Sequence, residues 1–278
     1  MMNLIAVFAD TTKQVETNPL LQTSLQQTID RQYVITNSSQ LKPLPDSPRY
    51  TAPAAVLVSP RRSFEAAMHY RGKKVCVLNF ASATHPGGGV AHGARAQEEC
   101  LCRCSTLYFA LKEERVCHSF HQQHINDLKS GRMDSWYNDD CIYSPDVMIF
   151  KTDDGLYQRM DEQDFVSVDV ITCAAPNLGG FWAPHDITEQ KIAAVHRSRA
   201  ERILQLAASE GAEVLILGAF GCGAFHNPPE IVAATWAEAV KAYRQQFETI
   251  EFAIISNKDR PSYNYSVFHR IMTNAFPD

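Results

Sequence analysis

"KVCVLNFASATHPGGGVAHGARAQEEC", residues 74–100, is the stretch from which the fold can be worked out. Its first eight residues (74–81) form an apolar run of strand length. A bare loop follows, with Gly87, Gly88 and Gly89 in a row. The chain then turns helical over "AQEECLCRCSTLYFALKEE" (96–114), with Leu101, Leu107 and Leu111 on the apolar side. An apolar strand that feeds a helix through a glycine-rich loop is the unit from which helix-covered parallel sheets are built.

The same alternation extends in both directions. "AAVLVS" (54–59) reads as a strand and "RSFEAAMHY" (62–70) as a helix. Downstream, "SFHQQHINDLKSG" (119–131) reads as a short helix stopped by Gly131, and "DVMIFK" (146–151) and "FVSVDVITCAA" (165–175) as strands. "ITEQKIAAVHRSRAERILQLAASEG" (187–211) is a long amphipathic helix ended by Gly211. Then come a strand (213–220), a helix (228–247), a strand (249–256) and a closing helix (262–276). Strands alternating with helices give an α/β fold, a sheet with helices on both faces. The first fifty residues are more polar, with helical spacing in "NPLLQTSLQQTID" (18–30). The proline-rich "LKPLPDSPRY" (41–50) is the expected boundary between residues 1–50 and 51–278.

Composition narrows the function. The chain has 278 residues and a formal net charge of -5, so nothing in its overall charge draws it to nucleic acid or a membrane. An anionic ligand would have to be held locally, by backbone N–H groups, helix N-termini and a few placed cations. No apolar run reaches the roughly 20 residues of a membrane span, and the N-terminus does not read as a signal peptide. The eight cysteines lack the spacing of a small disulfide scaffold and read as reduced thiols of a cytoplasmic protein.

In open α/β sheets, ligands bind beyond the C-terminal strand ends. Three loops follow apolar strands there. One is the triple-glycine loop. The second, "GAFGCGAFHNPP" (218–229), bends at Gly218, Gly221 and Gly223 and enters a helix through Pro228 and Pro229. It is neither a P-loop nor G-x-G-x-x-G, and Cys222 lacks the glycine spacing of a nucleophile elbow. Such a loop is either a phosphate seat or a tight structural turn. Phe225 at its far end either stacks on a sugar or base or packs locally, and Phe220 has a more core-like setting. The third loop, "AAPNLGGFWAPHD" (174–186), places Asn177 at a strand end, and its Trp182 either lines a pocket or packs the loop.

Glu98 and Glu99 open the helix after the glycines. They either complement the helix dipole or act as the carboxylates of glycoside chemistry, one protonating a leaving oxygen. A helix N-terminus lowers a carboxyl pKa, whereas a general acid needs it raised; a like-charged neighbour and an anionic substrate push it back up.

"NFASATHPGGG" followed after seven residues by "QEE" closely resembles the signature of the poly(ADP-ribose) glycohydrolases. "LGAFGCGAF" resembles that family's diphosphate loop, and "CAAPN" fits its bacterial-type branch. The resemblance spans roughly residues 50–260. It implies a macrodomain-like mixed sheet with a helical N-terminal accessory region, and hydrolysis of ribose–ribose O-glycosidic bonds in poly(ADP-ribose). It makes Glu99 the catalytic glutamate, with Glu98 and Gln97 holding substrate beside it, and Phe225 the aromatic that sets the terminal ribose. It extends substrate contact to Ser82, Gly87, Gly88, Gly89, Asn177 and the loop of Gly218, Ala219, Phe220, Gly221, Cys222, Gly223, Ala224 and Phe225. Ser82 replaces an asparagine of the animal enzymes, again as in the bacterial branch, and His85 departs from the family's pattern. The implied partners are the polymer and ADP-ribosylated proteins, with no cofactor and no sequence-specific nucleic acid. Cleavage is expected at the chain end, through closure of one end of the seat by the Trp182 loop.

Two other classes stay open on the residues alone. One is a macrodomain that only reads ADP-ribose, which would have no use for paired carboxylates. The other is a hydrolase of mono-ADP-ribosylated protein or of a free ADP-ribose derivative. "CLCRC" and "HSFHQQH" (His118, His121, His124) meet the spacing of a zinc site only loosely, and no metal is expected.

Overall fold

The computed structural model describes residues 2–44, 47–179 and 183–277. Two helices come first, α1 (Leu4–Thr17) and α2 (Pro19–Arg31), then the short strand β1 (Tyr33–Ile35). β2 (Ala55–Ser59), α3 (Ser63–Met68) and β3 (Val75–Phe80) follow. The helical stretch after β3 comprises α4 (Gln97–Cys104), α5 (Leu107–Leu111), α6 (Glu114–Cys117) and α7 (Gln123–Lys129). The remainder is β4 (Cys141–Ile149), β5 (Val166–Cys173), α8 (Glu189–Ser209), β6 (Val214–Leu217), α9 (Pro229–Tyr243), β7 (Thr249–Ala253) and α10 (Tyr263–Ala275).

The strands form one sheet in the order β1-β4-β5-β3-β6-β7-β2. β5, β3, β6, β7 and β2 run parallel, and β4 and β1 add antiparallel pairs at one side, so the sheet is mixed as expected. β6 (VLIL) is buried along its whole length, which is why its sequence is apolar without alternation. α8, α9 and α10 cover one face, where Trp236, Phe220, Phe252 and Phe268 pack in a chain of ring contacts. α1, α3, α4 and α5 cover the other, around Phe64, Leu101, Leu107 and Phe120.

The helix expected over 96–114 is broken. Ser105 is extended (φ -146, ψ 179) and bridges to Ile149, while the Thr106 N–H donates to the Met148 carbonyl at 3.0 Å. The Ser105 hydroxyl donates back to Leu101 O at 2.8 Å. Serine and threonine offer the backbone alternatives to helix, and here pairing with β4 takes the chain. β4 in turn begins at Cys141, five residues before the expected start. It runs through Pro145 because the register shifts between Ser144 and Val147, a bulge that tolerates the missing N–H. β1 lies in the same sheet, so residues 1–50 supply it with an edge strand. Their helices also pack closely: Lys151, 1% exposed, donates from Nζ to Val7 O and Thr11 Oγ1 and pairs with Asp10 on α1.

Among the described residues, no helix is long and apolar enough to cross a membrane.

Candidate active site

Beyond the C-terminal ends of β3, β6 and β7 lies a cavity of about 440 Å³, within the range of small-ligand sites. One wall is the first turn of α4. There Glu98 is 2% and Glu99 7% exposed, although both side chains line the cavity. Glu98 is held twice: its Oε2 accepts from the Ser82 N–H at 2.8 Å and its Oε1 from Asn79 Nδ2 at 3.2 Å. Burial nevertheless pushes its pKa up to about 8, outweighing the pull of those bonds. Glu99 is held once. Its Oε1 accepts from the Gly89 N–H at 2.9 Å, and its Oε2 is buried without a protein partner. One carboxylate is thus fixed at both oxygens and its neighbour at one.

The triple glycine serves these carboxylates more than a ligand. Gly88 has φ +56, and a Cβ there would lie 2.5 Å from Glu99 Oε1. Glycine at 88 lets the loop close over the glutamates. Gly88 lines the cavity, whereas Gly87 lies against Tyr108 and Gly89 against Ala94. Gln97 lines the cavity too, but its amide is fully used within the protein. Nε2 donates to Ser63 Oγ (3.0 Å) and Leu78 O (2.8 Å), and Oε1 accepts from the Phe80 N–H (2.9 Å). It therefore pins α4 to β3. The Ser82 hydroxyl accepts from the Thr84 and His85 N–H groups, shaping the turn that aims its own N–H at Glu98. His85 is exposed, with Nδ1 on Thr84 Oγ1.

The second loop forms the facing wall with Ala219, Gly221, Gly223, Ala224 and Phe225. Among the described residues, the N–H groups of Gly221, Gly223, Ala224 and Phe225 have no protein acceptor. Successive free amides in a turn make an anion seat. Gly221 needs to be glycine, with φ +79 and a Cβ position 2.7 Å from Ala175 Cβ, whereas a Cβ at Gly223 would meet no atom within 4 Å. Three expected contacts sit elsewhere. Phe220 is fully buried against Phe80, His196 and Trp236, because its side chain points into the core beneath the loop. Gly218 is enclosed by Phe80 and the Ala253 carbonyl, and Cys222, outside the lining, has its Sγ on the Phe220 carbonyl while its own carbonyl accepts from the cavity-lining Asn264 at 3.4 Å. Asn177 lies away from the cavity lining. Its Oδ1 accepts from the Gly179 N–H, and its backbone pairs with Ser135. Trp182 lies outside the described residues.

The sequence reading missed several residues. Asn79 looks like one more strand residue until Glu98 is placed over it. Asn227, in the loop's "HNPP", ties three elements together, with Nδ2 on Pro176 O (2.7 Å) and Gly221 O (3.0 Å) and Oδ1 on His196 Nε2 (2.9 Å). Arg61, Arg62 and Arg95 line the cavity, the local cations that an anionic ligand needs in an acidic protein. Beside Arg62 is Asp153, whose pKa burial raises to about 7 despite that guanidinium. The cysteine and histidine signals disperse: Cys100, Cys102 and Cys104 are each buried, and His121 lies under the Ala83 carbonyl. Among the described residues, no group of three metal-binding side chains comes together.

A family model described as microbial-type PARG (poly(ADP-ribose) glycohydrolase), catalytic domain, matches residues 9–152. The chain is similar to the crystal structure of the poly(ADP-ribose) glycohydrolase of Thermomonospora curvata, at 30% identity and TM-score 0.79, covering 98% of this chain and 99% of that one. The same enzyme bound to the inhibitor ADP-HPD aligns at 29% identity and TM-score 0.77, over 96% and 98% of the two chains. The Deinococcus radiodurans enzyme in complex with ADP-ribose aligns at 30% identity and TM-score 0.75, over 91% and 98%. No curated protein matches the chain.

Proposed function

The chain belongs to the microbial-type poly(ADP-ribose) glycohydrolases, and we propose that it hydrolyses the ribose–ribose bond of poly(ADP-ribose) with Glu99 as acid and base. The observation that carries this reading is the unequal tethering of two adjacent buried carboxylates. Glu98 is fixed at both oxygens, whereas Glu99 keeps Oε2 free of protein partners in the cavity wall.

The substrate's diphosphate rests on the free amides of Gly221, Gly223, Ala224 and Phe225, with the cavity's arginines near. Phe225 flanks the terminal ribose at the cavity edge. The bond between the anomeric carbon of that ribose and the 2′ oxygen of the next unit breaks as Glu99 gives its proton to that oxygen. Positive charge develops on the ring, and the carboxylate left behind and the diphosphate stabilise it. The same carboxylate takes a proton from water as water adds to the anomeric carbon, and Glu99 is restored. Glu98, protonated below its raised pKa of about 8, adds no second negative charge there and orients the ribose hydroxyls.

Glu99→Gln preserves shape and removes proton transfer. General acid–base catalysis contributes about 10²–10⁴-fold, so polymer turnover should fall at least that far while ADP-ribose affinity by calorimetry stays within several-fold. A variant that keeps a tenth of wild-type turnover would sink the assignment.

We further propose that the enzyme works from the chain end, since the cavity is of single-ligand size. A chromatographic time course on protein-linked polymer should show free ADP-ribose from the first points, with the protein-proximal unit left attached. Early short free oligomers would refute it. The eight free thiols suit a reducing compartment, the cytoplasm.

A further inference from the structure

Arg103 is an expensive residue for α4. It is 0% exposed, and among the described residues it has no ion-pair partner. Its Nε and Nη1 are buried without acceptors, and its guanidinium lies over the Tyr157 ring at 5.7 Å. Buried charge with unmatched donors is unfavourable, and an apolar side chain of similar volume is often the more stable choice. Stability therefore does not account for an arginine here.

The one hydrogen bond its side chain makes among the described residues points to a different role. Nη2 donates to the Ala94 carbonyl. The Ala94 N–H donates to Gly89 O at 3.2 Å, and the Gly89 N–H donates to Glu99 Oε1 at 2.9 Å. Glu99 and Arg103 stand one helical turn apart on the same face of α4. The contacts close into a ring: Arg103 to Ala94, Ala94 to Gly89, Gly89 to Glu99, and back along the helix.

We propose that Arg103 is a positioning residue for the reaction. By clamping the 89–94 segment to α4, it fixes where the Gly89 N–H points, and so holds Glu99 by one oxygen and leaves the other without a protein partner. Arg103 touches no substrate, and the inference rests on the reading of Glu99 as the acid and base. A planar fork suits the role better than a point charge on a flexible stem. Loosening the clamp leaves the cavity intact and misplaces the reacting carboxylate. A displacement near 1 Å costs about 10²-fold in rate.

The test uses the full chain and three variants. Arg103→Met keeps volume and removes the donors; kcat should fall about 10²-fold, with KM and ADP-ribose affinity within about threefold and Tm equal to or above wild type. Arg103→Lys retains charge and one donor and should recover part of that loss, to about tenfold below wild type. Thr11→Val controls for stability. Thr11 Oγ1 donates to the Arg103 main-chain carbonyl at 2.6 Å, so this variant should lose Tm with kcat unchanged. Arg103→Met with kcat within threefold of wild type overturns the proposal, as does a Thr11→Val variant whose kcat falls in step with Tm. Should Arg103→Met fail to fold, Arg103→Lys decides, and wild-type kcat there overturns the role. Failure of the wild type on polymer, or an active Glu99→Gln, would instead sink the reading of Glu99. A normal Arg103→Met beside an inactive Glu99→Gln sinks only the clamp.

Discussion

At Glu98 the proposed catalysis and the stability of the fold pull apart. Burial lifts its folded pKa from an ordinary 4.5 to about 8, so the fold favours the protonated form. That contribution is fully present below pH 4.5 and is lost as pH rises through about 8. Thermal stability should decline across this window in the wild type. Glu98→Gln cannot ionise. A flip of the Asn79 amide supplies an acceptor for the new amide, with the Thr172 hydroxyl exchanging roles, at the cost of placing Asn79 Nδ2 where Oδ1 now lies buried without a partner. Melting curves from pH 5 to 9 should show a shallower decline for Glu98→Gln and a higher Tm above pH 8. Parallel curves would mean that burial of Glu98 does not govern the slope. Turnover should drop in the same variant, the exchange of stability for function common at active sites.

Among the elements, the second glycine loop separates the needs of backbone and ligand. Gly221 has positive φ, and a Cβ there would collide with Ala175 and Asn227. Gly221→Ala should therefore cost about 1–3 kcal/mol through strain and lower Tm. Gly223 has no protein atom within 4 Å of its Cβ position and lines the cavity. Gly223→Val should leave Tm near wild type and fill the anion seat instead, weakening ADP-ribose binding at least tenfold in calorimetry. Equal affinity would reduce the loop to a turn. The glycine spacing in the sequence marked this loop, but could not say which glycine answers to strain and which to ligand, since that depends on Ala175 and Asn227.

At the scale of the whole molecule, the N-terminal region is packed into the body. β1 pairs with β4, Phe8 meets Tyr108 edge-on at 4.8 Å, and Lys151 is capped by α1. A chain of residues 51–278 would uncover Tyr108, whose ring backs Gly87 of the triple-glycine loop. The full chain should unfold in a single calorimetric transition, and the 51–278 chain should aggregate or melt far lower with little activity. Two transitions, or a stable and active 51–278 chain, would show the first fifty residues to be separable.

What the sequence determined by itself was local. Apolar runs of strand length, amphipathic helices with their glycine stops, and the two glycine loops follow from short-range periodicity and backbone freedom. They placed an α/β sheet and located Glu98, Glu99 and the loop of 218–225. The tertiary structure decided what depends on residues distant in the chain. Ser105 leaves the helix because Ile149 pairs with it, and Pro145 is accepted because a bulge lies beside it. Asn79 matters through Glu98, nineteen residues on, and the arginines at 61, 62 and 95 matter because folding brings them to one cavity. The two glutamates are identical in sequence terms and differ only in their hydrogen bonds. Folding tethers both oxygens of one and a single oxygen of the other, and that difference underlies the role proposed for Glu99.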